Sequence, residues 1–118
     1  MICPYCEQGG IMKVNGKIFQ VNETEIELEY TIQKCIEYDN LIVILMYDET
    51  IIENNVLCFD KQGKELWKIN DILNITRPTG NVDIIKENDN VLAVHSVLGM
   101  VYKIDIEKKV LIEKIYLR

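Results

Sequence analysis

The sequence contains no apolar run long enough to cross a lipid bilayer. Its longest such run, Leu41 to Tyr47, has seven residues, whereas a membrane-spanning helix needs about 18 or more. The N-terminus also lacks the basic segment followed by an apolar stretch that marks a secretory signal. The 118 residues, 48% of them hydrophobic and 27% charged, have the balance of one ordinary globular domain. We therefore predict a single domain over 1–118 and a cytoplasmic location.

Residues with reactive side chains are few and poorly grouped. There are four cysteines, one histidine (His95) and no glycine-rich phosphate loop. Cys3 and Cys6 form CPYC, which resembles the active-site motif of glutaredoxins, but that chemistry needs a strand before the motif and a helix after it, and two glycines follow. A zinc site would need a second cysteine pair, whereas Cys35 and Cys58 stand singly in apolar patterns. We predict no catalytic residue, metal or cofactor, and core packing for Cys35 and Cys58.

Basic residues are scarce in the first half of the chain. Residues 1–60 contain three lysines against eleven acidic side chains, a net charge of −8, whereas residues 61–118 contain ten basic against eight acidic residues, a net charge of +2. A surface with this bias repels a phosphate backbone and attracts basic proteins. The composition therefore disfavours binding to nucleic acid or an anionic membrane and favours a basic protein partner.

Most of the chain alternates between apolar and polar residues with a period of two. Eight such stretches are rich in β-branched or aromatic residues, which is typical of strands: KIFQVN, EIELEY, NLIVILMY, NVLCFD, VDIIKEN, NVLAVHSV, MVYKIDIE and KVLIEKIYL. Short turns of Asn, Asp and Gly separate them. KELWKINDILNI has the one helix-like pattern, but Trp67 and Ile75 fall outside its apolar stripe, so we predict a strand there. The pattern indicates an all-β antiparallel meander of about ten strands.

An internal repeat divides the chain. YDNLIVILM at 38–46 aligns with NDNVLAVHS at 88–96, and NVLCFDKQGKELWKI at 55–69 aligns with MVYKIDIEKKVLIEKI at 100–115. The loop DETIIENN makes the first copy longer, and RPTGN at 77–81 is the strongest break between the copies. We predict an N-terminal hairpin over 1–30 and four-stranded units over 31–76 and 81–118. The predicted core residues are Ile42, Ile44, Leu57, Phe59, Trp67, Leu92, Val94, Tyr102 and Ile104.

NVLCFDKQGKELWKI resembles the repeat of PQQ-like and WD-like β-propellers, in which an apolar strand ends in Asp and is followed by a turn with Gly and a strand with Trp. The second copy lacks both the Gly and the Trp. Four antiparallel strands in roughly 45 residues also match the size of a propeller blade. Closing a ring takes about four or more blades, so the resemblance implies an open half-propeller of two blade-like units.

Glutamates occupy every second position from 23 to 29, and we call these four residues the acidic ladder. On a strand, all four carboxylates would share one face. A solvated face that discourages edge pairing explains this pattern, but repulsion among four like charges favours a binding surface for a basic partner. The loop DETIIENN adds a second acidic group. The residues predicted to bind the partner are Glu23, Glu25, Glu27, Glu29, Asp48, Glu49 and Glu53.

Small size, acidity and the lack of a catalytic constellation together indicate a binding protein rather than an enzyme. Open propeller-like sheets of this size resemble immunity proteins of contact-dependent growth inhibition systems. That resemblance implies an inhibitor that neutralises a basic toxin, and a nuclease is the expected target because nucleic-acid binding requires positive charge. A metal-binding or redox accessory protein that uses CPYC is the alternative. A third hypothesis is a homodimer in which two copies approach a full ring.

Overall fold

A computed structural model describes residues 12–50 and 52–117, with side chains from Val14 onward. Eleven strands in this part form three antiparallel sheets. The N-terminal sheet consists of β1 (Met12–Asn15), β2 (Ile18–Val21) and β3 (Thr24–Glu27). The central sheet consists of β4 (Thr31–Glu37), β5 (Leu41–Tyr47), β6 (Val56–Asp60) and β7 (Glu65–Lys68). The C-terminal sheet consists of β8 (Asn81–Lys86), β9 (Val91–Ser96), β10 (Met100–Asp105) and β11 (Val110–Tyr116).

The predicted all-β antiparallel meander is confirmed, because within each sheet every strand pairs with its neighbours in sequence. The two copies of the repeat correspond to the two four-stranded sheets. The predicted hairpin is a three-stranded sheet in which β2 lies between β1 and β3. Within the described residues, no helix is long and apolar enough to cross a membrane. Cys3 and Cys6 lie outside the described residues.

The central sheet is buried on both faces. Ile42 and Ile44 of β5 pack with Phe19 of β2 in a cluster between the N-terminal and central sheets. Val43 and Leu45, which alternate with them, pack in a second cluster between the central and C-terminal sheets. A strand covered on both sides needs apolar residues at successive positions, which explains why the longest apolar run in the sequence is β5.

Eight of the nine predicted core residues are buried, and Tyr102 is the exception. Tyr102 on β10 pairs with Val94 on one side and with Lys114 of β11 on the other. Val94 is fully buried, but Lys114 belongs to an exposed strand. Tyr102 is therefore only half-buried, and its prediction as a core residue was wrong.

A short helix follows β7, where we predicted strand alone. The strand ends at Lys68, and α1 (Ile69–Leu73) forms one helical turn. The carboxylate of Asp71 accepts the backbone N–H of Lys68 at 2.9 Å, as a first-turn acid does at a helix start. Asn74 then ends the helix in the left-handed conformation, with φ of 52°.

The turns after β6 and β10 share an aspartate that caps the turn, but they differ in detail. One carboxylate oxygen of Asp60 accepts the backbone N–H groups two and four residues further on, each at 2.9 Å. Asp105 accepts those two and three residues further on, at 3.0 and 2.8 Å. Gly63 in the first turn has φ of +88°, and Lys109 in the second has φ of 58°. The missing glycine of the second copy is thus replaced by a lysine in a conformation that glycine adopts at less cost.

We expect Gly63→Ala to destabilise the protein more than Gly16→Ala. A Cβ atom at Gly63 would lie 2.7 Å from Cγ2 of Thr24 and 2.8 Å from Cδ1 of Ile26, whereas nothing lies within 4 Å of a Cβ at Gly16, where φ is +65°. Gly16→Ala should cost about 1 kcal/mol for backbone strain alone, and Gly63→Ala about 2 kcal/mol because it also displaces the N-terminal sheet. Urea unfolding of both variants measures the difference; equal costs would contradict a close contact at Gly63.

Candidate functional site

The N-terminal sheet packs on the central sheet and thereby positions the acidic ladder. Phe19 and Phe59 meet edge to face, with ring centroids 5.0 Å apart. Ile26, Leu28 and Tyr30 are partly buried against the same cluster. Since these three residues alternate with the ladder glutamates, the packing turns the carboxylates outward.

All four ladder glutamates are exposed. The strand is shorter than the predicted EIELEY, because β3 ends at Glu27. Glu25 and Glu27 lie on β3, opposite Gln20 and Ile18 of β2. The two outer members of the ladder lie in the segments on either side of β3.

The second acidic group lies on a loop whose far end is tied to the rest of the chain. Glu53 forms an isolated antiparallel bridge with Gly80. The backbone N–H of Asn54 donates to the carbonyl of Thr79 at 3.3 Å. The side-chain oxygen of Asn54 accepts the N–H of Asn70 in α1 at 2.8 Å. Glu53 is therefore exposed but attached to a fixed backbone.

Part of the ladder and part of the loop meet at one cavity, with a volume of about 470 Å³. We call it the acidic cleft, and its charged lining residues are Glu27, Glu29, Glu53, Glu65 and Lys68. Two come from the ladder region, one from the loop and two from β7. Four carboxylates and one ammonium group thus face a common space that the sequence alone did not predict.

Asp48 and Glu49 line a smaller neighbouring cavity of about 160 Å³. Thr50 and Ile52 line both cavities. The N–H of Glu49 donates to the carboxylate of Asp48 at 2.8 Å, and both side chains are exposed. The remaining ladder residues, at positions 23 and 25, line neither cavity.

Beside the smaller cavity, two buried asparagines join the central and C-terminal sheets. The side-chain nitrogen of Asn55 donates to the carbonyls of Met46 and Asn81 at 2.8 and 2.9 Å. The side-chain oxygen of Asn55 accepts the backbone N–H of Asn81 at 2.8 Å and its side-chain nitrogen at 3.1 Å. Both asparagines also line this cavity. These hydrogen bonds fix the loop end against the start of β8.

The acids of the cleft take no part in ion pairs within the described residues. The three pairs found there are Lys34 with Asp83, Lys61 with Glu37, and Lys103 with Glu87. The carboxylates of the cleft are therefore available to cationic groups from outside. An arginine offers five N–H donors in a planar fork that matches a carboxylate, and such charge-assisted hydrogen bonds are stronger than neutral ones.

The two cysteines of the described part lie in the core, as predicted, but only Cys58 is a free thiol, because Cys35 is disulfide-bonded. Cys35 and Cys58 are fully buried. Burial raises the pKa of the Cys58 thiol to about 12, so this residue is not a thiolate at neutral pH. No group of three or more His, Cys, Asp or Glu residues within 12–50 and 52–117 could hold a metal ion. His95 on β9 is half-buried.

Sequence reasoning missed Glu65 and Lys68. Both lie on β7, where Glu65 pairs with Phe59 and Lys68 with Leu57. Phe59 and Leu57 belong to the cluster beneath the N-terminal sheet. Period-two alternation alone would place Glu65 and Lys68 on opposite faces, because they are three positions apart. The register shift between Cys58 and Phe59 brings them to the same face, and the sequence pattern contains no signal for that shift or for the sheet that covers the face.

The fold and the cleft define an all-β protein of three stacked antiparallel sheets with a polar, mainly acidic cavity between the first two. A family model described as "Domain of unknown function (DUF7957)" matches residues 11–116. The chain belongs to this family. A search of curated proteins found no match.

Proposed function

We propose that this protein is a cytoplasmic inhibitor that binds and neutralises a basic toxin, with a nuclease as the expected target. One observation carries the proposal: four glutamates line the acidic cleft together with a single basic residue, Lys68. The glutamates are Glu27, Glu29, Glu53 and Glu65. An exposed lysine or arginine of the toxin would enter this cavity and pair with carboxylates that have no other ion-pair partner among the described residues.

The charge distribution supports fast association with such a partner. The ladder continues the negative charge of the cleft through Glu25 on β3 and Glu23 just before it, both exposed. Asp48 and Glu49 extend this charge along the loop. Complementary charges steer partners together and raise the association rate above that of neutral surfaces. A nuclease must present a basic surface to its substrate, so an inhibitor that covers this surface blocks activity without chemistry of its own.

The repeat also supports the proposal. The repeat resembles those of propellers, and open propeller-like sheets resemble immunity proteins. Both resemblances fit a small protein that inhibits its target by covering the target's surface. The two carboxylate turns at Asp60 and Asp105 belong to the same resemblance.

Reversing charge in the cleft should weaken binding to the toxin. The partner to test is the C-terminal domain of a large secreted protein encoded beside the gene for this chain. We expect Glu27→Lys with Glu53→Lys to slow association at low salt by about tenfold and to flatten the salt dependence of the rate. Surface plasmon resonance at two salt concentrations measures both quantities.

The matched control is Asp39→Lys with Asp89→Lys, which changes the net charge equally. Both residues are exposed and lie in the turns after β4 and β8, outside the acidic cleft. This pair should have much the smaller effect. Lack of binding by the natural protein, or equal effects of the two double variants, would refute the cleft as the binding site.

A further inference from the structure

Exposed apolar side chains concentrate at one edge of the C-terminal sheet. Strand β11 is the outermost strand and pairs only with β10 among the described strands. The N–H of Leu117 donates to the carbonyl of Gly99 at 2.7 Å, which holds the turn after β9 against the end of β11. Seven of the ten large apolar residues that are exposed in the described part lie on this strand and turn. They are Val97, Leu98, Val110, Leu111, Ile112, Tyr116 and Leu117.

The broad outer face of the same sheet is mixed, because the apolar pair Val101 and Ile115 lies beside the charged pair Lys103 and Glu113. Lys103 and Glu113 of the second copy align with Cys58 and Trp67 of the first copy. Lys103 pairs with Glu113 across neighbouring strands, as Cys58 does with Trp67. Cys58 and Trp67 are buried between two sheets, whereas Lys103 forms an ion pair with Glu87 at 3.1 Å. A charged pair at this position disfavours stacking of another sheet on that face.

An edge strand presents backbone N–H and C=O groups that another strand can satisfy. Proteins blunt such edges with bulges and charges, and β11 has both, since Ile112 is the extra residue of a bulge opposite Lys103 and Ile104 and Glu113 and Lys114 follow. Flanking residues Leu111 and Ile112 remain 39% and 54% exposed. The edge therefore offers backbone and apolar groups to a partner strand. Its two charges restrict which strand can pair there.

These charges oppose pairing between two copies. A two-fold symmetric dimer pairs the strands antiparallel, and the register that uses the whole strand places Glu113 opposite Glu113 of the second copy. The two adjacent symmetric registers place Lys114 opposite Lys114 and Ile112 opposite Ile112. The second centres the pairing on the bulge residue, where the strand departs from regular geometry. Like charges directly opposite each other destabilise a strand pair, whereas opposite charges stabilise it.

We infer that β11 is a docking edge for an extended strand of a different protein, one whose charges are reversed, with a basic residue opposite Glu113 and an acidic residue near Lys114. Glu113 and Lys114 select this partner, and together with the bulge at Ile112 they oppose pairing between two copies of the chain. The partner strand continues the C-terminal sheet by main-chain hydrogen bonds and covers Leu111 and Ile112. The edge lies on a different sheet from β3 and β7, so its occupancy does not depend on the proposed function.

The chain itself supplies the probe. In the variant Glu113→Lys with Lys114→Glu, β11 keeps its length and apolar residues but has the reversed charges. We expect the natural protein alone and the variant alone to be monomers by sedimentation velocity, and a 1:1 mixture to form a heterodimer. The dissociation constant of the heterodimer should be at least tenfold lower than that of either homodimer.

A third substitution tests whether the heterodimer uses the edge. Ile112→Glu, added to the reversed variant, should weaken the heterodimer at least tenfold. Val82→Glu is the matched control, because Val82 is 52% exposed but lies on β8, at the other edge of the sheet. No heterodimer in the mixture would show that the edge does not accept a strand. A natural protein that dimerises as tightly as the mixture would make the second copy the occupant. Either result overturns the inference.

Discussion

Replacing Asn55 with Leu should lower the free energy of unfolding by about 3 to 5 kcal/mol. Asn55 is 4% exposed, and its side chain makes four hydrogen bonds to Met46 and Asn81. Leucine has a similar volume but leaves two carbonyls, one backbone N–H and one side-chain N–H without this partner, and each buried group left unpaired costs about 1 to 3 kcal/mol. The loss also removes the direct hydrogen bonds between the central and C-terminal sheets at this point.

Thermal and urea unfolding of Asn55→Leu measure this cost. The melting temperature should fall by roughly 10 to 20 °C, given the entropy of unfolding of a chain of this size. Asn40→Ala is the control, because Asn40 is an exposed turn residue, and it should change stability by no more than about 0.5 kcal/mol. Similar costs for the two variants would mean that the Asn55 hydrogen bonds contribute little.

The second large effect is expected at Trp67. This tryptophan is 3% exposed within the cluster between the central and C-terminal sheets. Its indole N–H is buried and has no hydrogen-bond partner among the described residues. Trp67→Ala should cost about 3 to 5 kcal/mol through the lost contacts and the cavity left behind. Trp67→Phe should cost only about 1 kcal/mol, because an aromatic ring remains and no hydrogen bond is lost.

Circular dichroism is the appropriate readout for both variants, since the chain has one tryptophan and each substitution removes its fluorescence. The ratio of the two costs is the informative quantity. If Trp67→Phe were as damaging as Trp67→Ala, the indole N–H would have to make a stabilising interaction, and packing alone would not explain the burial of Trp67.

Local patterns were enough to predict most of the fold. Alternation with period two and turns of Asn, Asp and Gly identified the strands, and the repeat separated the two four-stranded sheets at RPTGN. One miss has a long-range cause and the other a local one. Tyr102 has the alternation of a core residue but lies beside an uncovered edge strand, and α1 begins because Asp71 accepts the N–H of Lys68, which competes with the weak strand pattern that follows Trp67.

The candidate site was predicted only in part, because its residues come together through packing between sheets. The alternation of Glu23 to Glu29 with apolar residues indicated an exposed acidic face, and the longer loop indicated a second acidic group. Glu27, Glu29 and Glu53 line one cavity with Glu65. This arrangement depends on the packing of the N-terminal sheet on β5 and β6. Spacing along the chain does not record which sheet lies over which.

The two core clusters also determine how the molecule can open. The N-terminal sheet is held by the cluster around Phe19 and Phe59, while the cluster around Val43 and Trp67 contains no residue of the N-terminal sheet. The first can separate while the second stays intact, so the N-terminal sheet is a candidate for a cooperative unit that unfolds below the global free energy. Because the acidic cleft lies across that boundary, any molecule bound in it would stabilise the closed arrangement by mass action.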